Sequence, residues 1–269
     1  NSPVKSKQTI NMLRSMPEQT LEMMARLIKI PESQIPIYIA MMKGEDNEFI
    51  TKISTVDGKL HPGDVILMTG IHENSKKLVS VQKPFYSNAK SSHVAVIVSD
   101  AICVDAVPNL GVSHRLISEV LAEAENDWRI IRFKDITEEK FDSIHQRCAY
   151  YLSQPYRIFP SNKPAKTFSY CSELARKIYK DSGITGTGIP NIPIIKPCDF
   201  DRLADKNPNW IDVTEDMRNY VELCFEFEAL FKIQAKLAID GLKLNYSRFE
   251  ERMRMISKIN KMVRQKKLT

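Results

Sequence analysis

The sequence predicts an α+β protein: one antiparallel sheet packed on helices, with further helical segments at both ends. Two observations carry this. From Gly58 and Pro62 onward, short runs rich in Val and Ile alternate with turn-forming residues. Before and after that block, apolar residues recur at spacings of three and four, the period of a helix with one buried face. At 269 residues the chain is long enough for one sizeable core with additions.

Residues 1–55 are expected to form a helical N-terminal extension. Pro17 to Ile30 carries Leu21, Met24, Leu27 and Ile28 on one face and is closed by Pro31. Ile35 to Met42 reads as a second, shorter helix. The block 56–212 follows, with strands expected at Val65–Met68, His93–Ser99, Ile102–Val107, Val112–Leu116 and Trp128–Phe133. A short helix is expected over Ile117–Glu125. Glu138 to Leu152 repeats Phe141, Ile144, Cys148 and Leu152 at helical spacing and stops before Pro155.

Phe168 to Tyr179 reads FSYCSELARKIY, a helix with Ser169 as its expected N-cap and an apolar stripe of Leu174, Ala175, Ile178 and Tyr179. The Pro- and Gly-rich stretch Gly183–Asn209 reads as a loop that walls or covers a cleft. Residues 213–269 read as a helical hairpin, one helix from Thr214 to Asp240 and another from Asn245.

Composition narrows the function classes. No uninterrupted apolar run is long enough for a membrane span, and NSPVKSKQ lacks the core of a signal peptide. The five cysteines, Cys103, Cys148, Cys171, Cys198 and Cys224, are scattered, without CxxC pairs or zinc spacing. They fit a reducing, cytoplasmic setting rather than a disulfide framework. No metal or organic cofactor is expected. The net charge of +6 is modest and partly concentrated in Lys258–Lys267, read as a solvated helix end. Peripheral membrane contact through the C-terminal helices is the alternative. No motif for nucleic acid accompanies the charge.

The chemistry-bearing residue is Cys171. In the first turn of a helix, unpaired N–H groups and the positive end of the dipole favour a thiolate. The ordinary alternative is a small buried residue, the commonest state of a free cysteine. A thiolate nucleophile needs a base, and the five histidines, His61, His72, His93, His114 and His145, all precede Cys171. Any Cys/His pair therefore runs histidine first.

At the start of the β block stands HPGDVILMTG, followed by SSHVAVIVSDAICVDAVP. Pro62, Gly63 and Asp64 open one strand, His93, Val94 and Ala95 open a later one, and Asp105 and Ala106 end the next. Pro155 and Tyr156 precede Cys171, Ser172, Glu173 and Leu174. These blocks resemble, over roughly residues 60–180, those of NlpC-type papain-like cysteine peptidases. Their order is reversed, as in the circularly permuted, YiiX-type branch.

The resemblance implies a papain-like fold, with the sheet packed on the nucleophile helix. It also implies Cys171 as nucleophile, His93 as base and Asp105 as the residue orienting the imidazole. The Cys171 N–H, helped by the Tyr156 hydroxyl, would meet an oxyanion. Asp105 and Tyr156 also read as a turn residue and a packing residue. Asp64 reads first as a turn-fixing residue and only then as support for the site. Glu173, where that family commonly has glycine, either complements the dipole or narrows the cleft.

The function implied is hydrolysis of an amide through an acyl-enzyme, as an amidase or peptidase acting in the cytoplasm or as a secreted bacterial effector. The first alternative is an acyl hydrolase or acyltransferase acting on a lipid ester or thioester. The second is an inactive binding module on the same scaffold. Peptide, amide or acyl-lipid substrates are thus the expected partners. Substrate identity and oligomeric state are left open by the sequence.

Overall fold

A computed structural model describes residues 11–161, 163 and 166–235. Its element order is α1 (Glu18–Leu27), α2 (Ile35–Lys43), α3 (Glu48–Thr55), β1 (Val65–Met68), α4 (Glu73–Gln82), β2 (His93–Ser99), β3 (Ile102–Val107) and β4 (Gly111–Leu116). It continues through α5 (Ile117–Leu121), β5 (Arg129–Phe133), α6 (Phe141–Tyr151), α7 (Cys171–Asp181), α8 (Pro197–Lys206), β6 (Trp210–Asp212) and α9 (Thr214–Glu226). The chain divides into two compact units, Ile53–Glu228 and Asn1–Lys52 with Ala229–Thr269.

The larger unit is the α+β body that the sequence predicts. Its six strands form one antiparallel sheet in the order β4-β3-β2-β1-β5-β6. The central strands are buried along nearly their whole length, so their Val and Ile runs are continuous rather than alternating. Helix α7 packs across β2 and β3, and α6 packs on α7. The tight turn before β1 is fixed by Gly63, at φ +96°, and by Asp64. The Asp64 carboxylate accepts the His61 N–H at 2.8 Å and two bonds from Arg132, at 2.8 and 2.7 Å. Tyr179 of α7 donates its hydroxyl to the Gly63 carbonyl, tying helix to turn.

Several expectations are corrected. Ser169 is not the N-cap of α7: Tyr170 holds that place, without a side-chain cap, and the Ser169 hydroxyl donates to Gln154 Oε1 at 2.7 Å. The face of α7 opposite its apolar stripe is also covered. Arg176 donates to the Ile192 and Ser161 carbonyls and Lys177 to the Phe168 carbonyl, so the segments before and after the helix wrap it. The stretch Gly183–Asn209 contains helix α8, whose Pro197 stands at the first position, where no N–H is required.

Strand β6 and helix α4 were outside the expected elements. The former is three residues long, and the latter leaves Leu78 and Val81 exposed instead of burying an apolar stripe. The helix from Thr214 is interrupted by a turn at Phe227 and helix resumes over residues 228–235, while the rest of the expected span to Asp240 lies outside the described residues. The sheet holds its start: Ile130 N–H donates to Thr214 Oγ1 at 2.9 Å, and Val213 N–H to the Ile130 carbonyl. The expected second helix from Asn245 lies outside the described residues.

In the smaller unit, α1 packs on α2 with Leu21, Ala25, Ile35 and Tyr38 buried. Phe49 meets Phe231 edge to face at 4.9 Å between ring centroids. Among the described residues no helix is long and apolar enough to cross a membrane.

Candidate active site

Cys171 is the first residue of α7, where the helix leaves backbone N–H groups unpaired. His93 is the first residue of β2, opposite Met68 of β1. The register places both at one end of the sheet, and α7 lies over that end of β2 and β3. Ser92 anchors the strand entrance, donating its N–H to the Met68 carbonyl and accepting the Gly70 N–H on its hydroxyl.

Asp105 lies on β3. The pairing of Val96 with Val104 and Ile97 with Cys103 puts Asp105 across from Ala95, two residues beyond His93 on the same face. The contact is therefore diagonal rather than level: Asp105 Oδ2 accepts from His93 Nε2 at 3.0 Å. Diagonal neighbours on one sheet face are within reach of long side chains. With Nε2 so engaged, Nδ1 is left to face the thiol. Asp105 has no solvent exposure, and its Oδ1 has no hydrogen-bond partner among the described residues.

His93 and Cys171 perturb each other. Burial alone would push the Cys171 thiol up, but attraction to the His93 ring and its imidazolium charge outweigh it. The Ser172 hydroxyl and the Val94 N–H add to them, and the thiol is held below its ordinary value. Ser172 Oγ is 3.7 Å from the sulfur. For His93, burial pulls downward, while the bond to Asp105 and the attraction to Cys171 raise the imidazole well above its ordinary value. The two shifts favour a thiolate–imidazolium pair over a neutral thiol and imidazole. The other four cysteines are almost wholly buried. Burial pushes the Cys103, Cys148, Cys198 and Cys224 thiols up.

The pair opens into a cavity of about 1100 Å³. His93, Cys171, Tyr156 and Tyr170 stand at one wall, and much of the rest is apolar, including Leu78, Val81, Phe85, Ile158 and Ile194. Leu78, Val81, Phe85 and Ile158 are also solvent-exposed, so the opening has an apolar rim. Tyr156 is positioned by a β-bridge to Ser169, two residues before Cys171. Its hydroxyl is pushed upward by burial and by the nearby Cys171 charge.

Asp64 and Glu173 are not brought to this place. Asp64 sits at the opposite end of β1 from the His93 pairing, about 13 Å along the strand, and works as the turn-fixing residue. Glu173 is buried, lies 3.6 Å from Arg176 and is not among the residues that line the cavity. His145 donates its Nε2–H to the Val98 carbonyl, a structural contact at 2.7 Å.

One residue absent from the sequence reading belongs here: Arg115 of β4, whose Nη1 is 3.4 Å from Asp105 Oδ2. Period-two alternation along β4, counted from a hairpin around Pro108–Leu110, is the signal that would have put it on the Asp105 face.

No protein-family model matches the chain. No curated protein matches it either. Among solved structures, the metalloprotein yiiX from Escherichia coli O157:H7 matches with a TM-score of 0.41 at 19% identity, over 58% of this chain and 97% of that one. Among the described residues, no group of three or more His, Cys, Asp or Glu side chains is arranged to hold a metal ion.

Proposed function

We propose that this protein is a cysteine hydrolase of the permuted papain-like kind, working through Cys171, His93 and Asp105. The observation that carries the reading is a buried carboxylate bonded to an imidazole that shares one cavity wall with a thiol at a helix N-terminus and lowers its pKa. The Cys171 thiolate attacks an acyl carbon while the imidazolium holds the proton. The developing oxyanion meets the Cys171 N–H, with the Tyr156 hydroxyl as second donor, one such donor contributing about 3 kcal/mol to the transition state. His93 then protonates the leaving group as the acyl-enzyme forms and takes a proton from the water that hydrolyses it. Asp105 keeps the ring turned with Nδ1 toward sulfur. The scissile bond in this reading is an amide.

A second reading has its own observation. The cavity is apolar on most of its wall and rim, which suits the acyl chain of a lipid ester or thioester better than a polar peptide.

One experiment tests both. Each cysteine is alkylated with iodoacetamide from pH 4 to 9 and read by mass spectrometry, in the native protein and in His93→Ala. Acetyl, octanoyl and palmitoyl amides, esters and thioesters are then assayed as substrates. Fast reaction of Cys171 alone well below pH 8, lost in His93→Ala, supports the hydrolase, and turnover rising with acyl length supports the lipid substrate. A Cys171 that reacts no faster than the other four sinks the enzymatic reading and leaves a binding module.

A further inference from the structure

His93, Asp105 and Arg115 form a diagonal across three adjacent strands. Asp105 is two residues offset from His93 through the Ala95 level, and Arg115, which pairs with Cys103, is two residues offset from Asp105. All three side chains share the face over which α7 lies. Asp105 Oδ2 thus receives His93 Nε2 at 3.0 Å and Arg115 Nη1 at 3.4 Å. The guanidinium is itself fixed from behind, Nη2 donating to the Glu119 carbonyl at 3.3 Å and to Glu123 Oε1 at 2.7 Å. Its side chain is 12% exposed, whereas Glu123 is 65% exposed, so the charge on Glu123 is screened by water and that on Asp105 is not.

A thiolate, an imidazolium and a carboxylate sum to one excess negative charge in a largely enclosed space. Arg115 supplies the balancing positive charge. We propose that Arg115 is a positioning and charge-balancing residue of this site, holding the Asp105 carboxylate against His93 and setting the pH range over which the thiolate–imidazolium pair exists. The proposal rests on the reading of Cys171 and His93 as nucleophile and base.

The sign follows from Coulomb's law. Removing a positive charge makes the thiolate harder to form and the imidazolium harder to deprotonate, so both midpoints move to higher pH. Removing the Asp105 charge moves both to lower pH. A merely structural loss, in which Asp105 drifts from His93, would lower the imidazolium midpoint instead of raising it.

The other charged or titratable groups around the diagonal, among the described residues, are Cys103 on β3, Glu119 and Glu123 beside Arg115, and Tyr156, Tyr170, His72, Glu73 and Lys196 on the cavity walls. Burial pushes Cys103 and Tyr156 upward, which keeps both uncharged between pH 4 and 9.

The test measures two midpoints in the full-length protein. Thiolate formation is read from the pH dependence of Cys171 alkylation by iodoacetamide, and imidazolium loss from the 15N chemical shifts of His93. Arg115→Gln is expected to raise both by about half a pH unit or more. Asp105→Asn should lower both, and Arg115→Lys, which keeps the charge, should restore the native values. Unmoved midpoints in a folded Arg115→Gln protein, or midpoints moving in opposite directions, overturn the proposal. If Arg115→Gln does not fold, Arg115→Met takes its place. It also removes the guanidinium charge and should raise both midpoints, and an unmoved pair again overturns the proposal. A native protein with no Cys171 thiolate below pH 8 overturns the underlying hydrolase reading, and this proposal with it.

Discussion

Lys177 shows how much one residue of the nucleophile helix is asked to bear. It has no solvent exposure, and its ammonium donates to the Phe168 carbonyl at 2.5 Å and to Ser169 Oγ at 2.9 Å. Those bonds hold the strand of chain that leads into Cys171. Burial lowers the ammonium from its ordinary 10.5 to about 8. Between these two values the unfolded chain binds the extra proton and the folded chain does not, so folding becomes more favourable as pH rises through that window. Below pH 8 both states are protonated and the cost of burying the charge is fully present. Lys177→Met removes this titration. The native protein should therefore gain stability relative to Lys177→Met between pH 7 and pH 10, read as the difference between their urea midpoints.

At the same scale, the candidate site was legible where a residue stands in a short motif. His93 opens its strand, Asp105 stands near the end of the next, and Cys171 opens its helix, each announced by its neighbours. Arg115 was not legible, because its relevance depends on the registers of two hairpins at once. Glu173 was legible only in part. Its position in the first turn was clear from the sequence, but the burial of the whole helix circumference was not.

Among the elements, the loop after α6 carries the most for its length. Gly111 opens β4 at φ +69°, and a Cβ there would lie 2.2 Å from the Gln154 carbonyl oxygen. That oxygen accepts the Val112 N–H, and Ser153 N–H returns a bond to the Val112 carbonyl, so β4 and the segment leading to Tyr156 are clasped backbone to backbone. Gly111→Ala combines a disfavoured backbone conformation with a contact that only backbone movement can relieve. It should cost about 1–3 kcal/mol, and a thermal melt should show a Tm lower by several degrees.

Five strands and helices α5, α6, α7 and α9 of the central body were readable from period and turn chemistry. The elements that escaped lack those signals. Helix α4 turns apolar side chains to the cavity instead of a core and is pinned by a buried Gln82, which donates to the Leu78 and Ser91 carbonyls and accepts the Cys198 N–H. Helix α8 hid behind its own prolines. Its carboxylates nonetheless reach the site's foundation: Asp201 accepts the Lys90 and Ser91 N–H groups and the Ser91 hydroxyl just before His93, and is paired with Arg129 at 2.9 Å.

For the whole molecule, every residue assigned to the site falls within Ile53–Glu228. That unit has its own sheet and core, with β6 and α9 both returning to β5. The expected boundary at residues 212 and 213 was drawn where the sequence becomes continuously helical. Composition does not reveal that the first of those helices is bonded to a strand. A fragment of residues 53–228 is expected to unfold cooperatively and to alkylate at Cys171 with the pH dependence of the full chain. Non-cooperative melting or a lost Cys171 preference would show that the remaining residues are required.

The order of the chain has a consequence for how reactivity is acquired. Strands β1 to β5 bring the histidine, carboxylate and arginine together through hairpins and near neighbours, and all of them leave the ribosome before Cys171 does. The contact between α7 and β2 closes a long loop and is among the slower ones to form. A nascent or partly refolded chain therefore carries an ordinary thiol. The nucleophile is switched on by a long-range step of folding, so its chemistry is itself a report that helix and sheet have met.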